Sequence, residues 1–371
     1  MDARAAPRYR CHSVRSEETS RETILPFATD AALRRRFAVL NEPIPGNLRF
    51  GMLLEVLDRL AADVALDYAR RARPDARVVT AALDEIVVRG VADVTRDLRC
   101  VARINHVGRT SMEVGVRVDR DGGTKHVASC YFTMVARDGD GPGARSIEVP
   151  PLAAGGDLEI ARAGRALARR AASRREAQSA LEPPSREEYL WLARLHGAQE
   201  APAFSGALAS SLVTESWERT YPEQENLSKV IFGGYIMRRA HELASICVER
   251  IATGRPVIAA VNQINFFEPV RIGDKIHLTS RVVHTEGPAI CVETSIERVS
   301  RDRTARALSN SCLFTFVNLD AALAPVDVPE VHPTTYAEDA RALAARRNLR
   351  SLLEHTTKGW LATALPGAAR G

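Results

Sequence analysis

The chain contains one fold-sized unit twice. F-G-M-L-L-E-V-L-D-R-L-A, from Phe50, lies against F-G-G-Y-I-M-R-R-A-H-E-L-A, from Phe232, with one glycine missing from the first copy. D-R-L-A of the first copy then sits on H-E-L-A of the second, so Asp58 matches His241. Ala82–Ile86 sits on Ala260–Ile264, and His106 falls on His284. Each copy runs as one long helix followed by several antiparallel strands. The period is far too long for a solenoid. It describes duplication of an α+β unit whose curved antiparallel sheet wraps its helix.

Periodicity supports both halves of that statement. In the first helix, Phe50–Ala69, Leu53, Leu57, Leu60, Ala61 and Val64 form a buried stripe, and Asp58 lies beside it. In the second, Phe232–Ile251, Ile236, Ala240, Leu243, Ala244 and Cys247 do the same. Leu98–Val107, Met112–Val118 and Ala128–Ala136 alternate as strands in the first copy. Lys275–His284, Ile290–Val299 and Ala307–Val317 do so in the second. Gly233 and Gly234 precede the second helix. Glycine permits close backbone approach, and a helix start has unpaired N–H groups, so this turn can hold an oxygen gaining negative charge. An ordinary glycine turn before a core helix reads equally well.

Composition limits the function classes. The 371 residues allow two or three domains, and 45% apolar with 26% charged residues is ordinary globular composition. A net charge of +5 favours anionic partners without choosing one. Aromatics make up only 5%, so stacking platforms are scarce and nucleic acid is not an expected partner. The six cysteines form no C-x-x-C pair, which reads as buried small residues in a reducing compartment rather than a disulfide frame or metal site. No apolar run approaches the ~18 residues of a membrane span.

The domain organisation expected is a disordered or targeting segment at 1–21, a first unit at 22–155, a helical linker at 156–200, a second unit at 201–330 and a C-terminal helix and tail at 331–371. Arg4, Arg8, Arg10 and Arg15 against Asp2 suit either a mitochondrial presequence or a basic tail. Thr29–Leu40 reads as a short helix capped by Thr29 or Asp30. The linker helix Glu159–Gln178 carries Arg162, Arg165, Arg169, Arg170, Arg174 and Arg175, which reads as a solvated face. Ser185 with Glu188, and Thr335 with Glu338, are capping boxes.

Several motifs together resemble a known family: E-T-I-L-P-F, R-F-G-M-L-L-E-V-L-D, G-R-T-S-M-E-V, P-P-S-R-E-E, N-L-S-K-V-I-F-G-G-Y-I-M-R-R-A-H-E-L-A and F-F-E-P-V-R-I-G-D. From Glu22 to about Leu319 the chain resembles the double-hotdog acyl-CoA thioesterases, in particular the mitochondrial acyl-CoA thioesterase 9 group. That resemblance implies two tandem hotdog domains with sites at the seam between them. It implies hydrolysis of fatty acyl-CoA to free acid and CoA, with CoA as part of the substrate and no separate cofactor or metal. It implies a mitochondrial matrix location, with the cytoplasm as alternative, and a homo-oligomer, often a trimer of double units.

The family's usual pair is an Asn in the loop before one helix and an Asp or Glu inside the helix of the other repeat. Asn226 and Asp58 stand in those places. The mirror positions hold Ile44 and His241, so one composite site is expected to work and the other to be dead. Asp58 would take a proton from water, Asn226 would orient the water or the carbonyl, and Gly233 and Gly234 would hold the oxyanion. Arg109, Thr110 and Ser111 form a turn that grips CoA phosphate or is a plain hairpin. No G-x-S-x-G elbow is present, which argues against an α/β-hydrolase. Two other readings compete. One is an inactive hotdog scaffold subunit, suggested by the arginine-rich linker. The other is a hydratase using His241 with Glu242, although neighbouring helix residues point in different directions.

Overall fold

The computed structural model describes residues 14–39, 47–90, 93–139, 143–153, 155–179, 182–224, 231–262, 264–356 and 359–365. Two long helices organise them: α2 (Phe50–Ala72) and α5 (Gly233–Val248), with α1 (Ala31–Phe37), α3 (Asp157–Ser179) and α4 (Arg186–Gln199) between or before them. Helices α6 (Tyr336–His355) and α7 (Trp360–Ala364) follow. All the stripe residues expected in α2 and α5 are buried. Helix α2 stops at Arg73, whose backbone is extended, because Pro74 follows and disfavours helical geometry before it. Helix α1 is shorter than expected. The Asp30 side chain caps it by accepting from the Leu33 N–H at 2.9 Å, and Ala38 leaves it in extended geometry.

The first repeat supplies β1 (Arg21–Leu25), β2 (Arg77–Leu83), β3 (Ile86–Val88), β4 (Leu98–Val107), β5 (Ser111–Arg120) and β6 (Lys125–Arg137). The second supplies β8 (Val213–Arg219), β9 (Arg255–Val261), β10 (Ile264–Phe266), β11 (Lys275–Glu286), β12 (Ala289–Val299) and β13 (Arg306–Leu319). Strands β7 (Ala207–Leu208) and β14 (Val331–His332) form a separate parallel pair. The twelve strands make one sheet among the described residues, with the main path β1-β4-β5-β6-β2-β10-β13-β12-β11-β8. Each half curves round its own long helix, which is the tandem hotdog architecture that the sequence implies.

The halves join by the segments that match in the repeat. Leu83 pairs with Ile264, and Ile86 pairs with Val261. The pairing is therefore isologous, as in a two-fold dimer. The helices cross in the same way: Gly51 lies against Arg238, and Gly234 lies against Glu55. A Cβ on Gly51 would sit 3.0 Å from the Arg238 carbonyl oxygen, and one on Gly234 would sit 2.9 Å from the Glu55 Cα. Arg238 and Glu55 form an ion pair of 2.9 Å near the centre of this crossing. The repeat extends to fine detail. Register shifts occur between Ile104 and His106 in β4 and between Val282 and His284 in β11, so the same bulge is present in both copies.

Candidate active site

Asp58 sits on α2 with its side chain completely buried. Its two oxygens are held from two directions. The Thr80 hydroxyl on β2 donates to Oδ1 at 2.7 Å, and the Gly234 backbone N–H donates to Oδ2 at 2.7 Å. The second donor comes from the other repeat. It lies in the first turn of α5, where N–H groups lack helical partners and the helix dipole favours negative charge. Burial still dominates the titration. It pushes the Asp58 pKa from 3.8 up to about 6, and the Thr80 and Gly234 hydrogen bonds oppose it only in part.

The two glycines do different things. Gly234 brings α5 onto the α2 backbone, and its N–H is spent on Asp58 rather than on a substrate oxygen. Gly233 faces Asp58 as well: a Cβ there would lie 3.3 Å from Oδ2 and 3.1 Å from the Phe266 ring. The missing side chain leaves room beside the carboxylate, and β10 of the second repeat bounds it through Phe266. Asn226 lies outside the described residues, as does Ile44.

Thr80 joins the candidate site through its hydrogen bond to Asp58, and the sequence reading missed it. A signal for it existed in the repeat. Ala82 matches Ala260, so Thr80 matches Ile258, and a hydroxyl faces Asp58 only in the copy that has the acid. Both strands skip a residue next to this position. The register shifts between Thr80 and Ala82 in β2, and in β9 Ile258 and Ala260 pair while Ala259 is passed over. Bulges of this kind re-aim side chains beside functional sites.

The mirror site has a different chemistry. His241 occupies the place of Asp58, is 8% exposed, and packs among Phe50, Phe314 and Phe316 at centroid distances of 5.5–6.0 Å. Among the described residues, neither ring nitrogen has a hydrogen-bond partner. Burial pushes its pKa from 6.5 down to about 4, so the ring is neutral near pH 7. A cavity of about 600 Å³ opens beside it, lined by Leu48, Phe50, Leu243, Ile258 and Phe316 among others. Glu242 points elsewhere. It pairs with Arg49 at 2.7 Å and also with Arg239, so it does not form an acid–histidine pair with His241.

The turn Gly108–Ser111 closes the β4–β5 hairpin through the Gly108 N–H, which donates to the Ser111 carbonyl at 2.7 Å. The carbonyls of Arg109 and Thr110 accept from Val149 and Ala136, both at 3.0 Å, which fixes the turn to neighbouring chain. Arg109 is exposed, and Arg170 of α3 comes within 3.6 Å of the point where a Gly108 Cβ would lie. Among the described residues, no hydrogen bond or ion pair joins this turn to Asp58.

Comparison with known proteins agrees with the repeat. The thioesterase superfamily family model matches the chain twice, at residues 46–126 and 228–305, once in each copy. The chain is 27% identical to the human mitochondrial acyl-coenzyme A thioesterase 9, over 91% of this chain and 78% of that protein. It is 29% identical to a mitochondrial acyl-coenzyme A thioesterase 4 of Humulus lupulus, over 89% of this chain and 66% of that protein. It is 30% identical to an uncharacterized acyl-CoA thioester hydrolase of Zymomonas mobilis, over 32% of this chain and 79% of that protein. The chain belongs to the hotdog-fold acyl-CoA thioesterase superfamily.

Proposed function

We propose that this protein hydrolyses fatty acyl-CoA to free fatty acid and CoA at one composite site on the seam between its repeats. The observation that carries the proposal is the buried Asp58 carboxylate, gripped by Thr80 of its own repeat and by the Gly234 N–H of the other. A thioester carbonyl is already electrophilic, so no covalent nucleophile is needed. Asp58 takes a proton from the attacking water as oxygen bonds to the carbonyl carbon. The tetrahedral intermediate then expels the CoA thiolate, and the proton held by Asp58 passes to the sulfur. A pKa near 6 suits both transfers: the group is mostly ionised at neutral pH, yet basic enough to accept a proton.

In this reading Gly234 fixes the base. Gly233 is the remaining candidate to hold the oxyanion, and Asn226 orients the water or carbonyl. The Arg109–Thr110–Ser111 turn, with Arg170 beside it, grips the CoA phosphates. The mirror site is inactive, because His241 is neutral and unpaired and Ile258 replaces the threonine. The human and Humulus lupulus relatives support a mitochondrial location. No helix among the described residues is long and apolar enough to cross a membrane. Assembly as a trimer of double units is part of the same proposal, and light scattering tests it.

The experiment is thiol release from a chain-length series of acyl-CoAs by the purified protein. Turnover with at least one chain length is expected. No release from any of them favours the scaffold reading, in which the fold is kept for binding alone.

A further inference from the structure

Helices α3 and α6 cover corresponding outer faces of the two repeats, α3 against β4 and α6 against β11. They do so with opposite chemistry. Helix α6 seals its face with Leu349, Leu352 and Leu353, packed on Val283, Cys291 and Val317. Helix α3 leaves a groove of about 580 Å³ between itself and the sheet, and arginines line it from both sides. Arg99, Arg103 and Arg117 rise from β4 and β5, and Arg162, Arg165 and Arg169 come from α3.

The acids present neutralise only half of them. Arg99 pairs with Glu22 at 2.6 Å, Arg117 with Asp119 at 2.7 Å, and Arg169 with Glu113. Arg103, Arg162 and Arg165 have no ion pair among the described residues. The carboxylates facing Arg103 are Glu17 and Glu159, and Glu159 is engaged with the Glu17 N–H at 3.0 Å. Arg162 Nη1 and Arg169 Nε are buried without a hydrogen-bond partner among the described residues. Burial first, and then the neighbouring Arg162, depress the pKa of Arg103, and Glu17 and Glu159 offset this only in part. A fold that needed only a linker could close this face with leucines, as the second repeat does.

We propose that this groove is a binding site for a small anion carrying several phosphate charges. Guanidinium forks match phosphate oxygens in geometry and charge. The volume falls within the range of small-molecule sites. A nucleic-acid strand is the poorer fit. Tyr131 is the aromatic ring among the groove's lining residues, and the Arg169 guanidinium stacks on it 3.5 Å from its centroid, where a base would stack. The site lies on the outer face of the sheet, whereas Asp58 lies on the inner face with α2. It is therefore separate from Asp58, while α3 also brings Arg170 to the turn proposed to grip the CoA phosphates.

Calorimetric titration of the full chain tests this, with inorganic tripolyphosphate and ATP as probes at low and physiological salt. Saturable one-to-one binding that weakens as salt rises is expected. Equal affinity for the two probes assigns recognition to phosphate alone, and tighter ATP binding adds contacts to the nucleoside. The pair Arg103→Ala with Arg162→Ala should weaken binding at least about tenfold. Arg165→Glu, a charge reversal at an exposed helix position that spares the packing, should weaken it as well. The proposal is overturned if neither probe saturates, if both variants bind like the parent, or if only a single-stranded RNA oligomer binds.

Discussion

The Asp58 carboxylate and the Gly234 backbone N–H meet at 2.7 Å, one from each copy of a duplicated unit. Neither repeat alone can build this contact. It links the start of α5 to α2 beside the close contact of Gly234 with Glu55. The duplication also allowed the copies to diverge. Asp58, Thr80 and Gly234 form one constellation, and His241, Ile258 and Gly51 form its changed counterpart.

The acid limb of the rate profile should report Asp58. The base works only when ionised, and burial raises its pKa from 3.8 to about 6. We expect kcat/KM to fall below an inflection near pH 6 when a short acyl-CoA is assayed from pH 4.5 to 8. A profile flat through pH 5 to 7 would exclude this carboxyl as the base.

Removing the Thr80 hydroxyl should move that limb. The hydroxyl stabilises the ionised carboxylate, so Thr80→Val raises the Asp58 pKa further and shifts the inflection up by about one unit. Thr80→Ser should restore the original position. An unmoved limb in the valine variant would show that the hydrogen bond does not tune the base.

His241 should be dispensable for turnover. Its two ring nitrogens are buried without partners among aromatic rings, so His241→Phe is expected to keep kcat within about threefold and to raise stability. The gain should grow in acid. The folded chain keeps His241 neutral down to about pH 4, while the unfolded chain binds a proton below about 6.5, so this residue costs stability as pH falls through that window. Melting curves at pH 5 and 7.5 measure the difference. A severe loss of activity would mean that the working site belongs to the other pair of positions.

Gly234→Ala should harm both fold and rate. The added methyl would meet the Phe232 ring at 2.7 Å and the Glu55 Cα at 2.9 Å, and backbone cannot yield as a flexible side chain can. Separating the helices also lengthens the Gly234–Asp58 hydrogen bond. A loss of stability of about 1–3 kcal/mol is expected, with a fall in kcat larger than that of any surface control. Parent-like melting and activity would show that the helix crossing tolerates more space than its contacts suggest.

The architecture was legible because it is written twice. Two apolar helical stripes and matching alternating strands, separated by a long period, leave few folds open. The edge strands β1 and β8 escaped notice for a physical reason. Arg21–Leu25 is largely exposed on both faces, and Val213–Arg219 has no fully buried residue, so neither shows the inward–outward contrast of a half-buried strand. Asp58 could be named from the family resemblance, but its environment could not. The helical pattern puts Asp58 beside the buried stripe, whereas the carboxylate is fully enclosed. Thr80 reaches Asp58 through a bulge that spacing alone does not reveal. The direction of the Gly234 N–H depends on how closely two helices cross, which is a property of both repeats together. The arginine-rich linker reads as a solvated face, yet three of its arginines line a groove on β4 and β5.

The most direct test of the composite site is Asp58→Asn, assayed for thiol release against the acyl-CoA that the parent prefers. The asparagine can accept from Gly234 and donate to Thr80, so the seam should survive. A buried carboxyl with a raised pKa costs stability once pH exceeds its ordinary value, and the full cost, up to about 3 kcal/mol, is present above pH 6. The variant should therefore melt no lower than the parent at pH 7.5 while turning over at least about a hundredfold more slowly. A folded Asp58→Asn protein that keeps near-parental turnover would contradict the account.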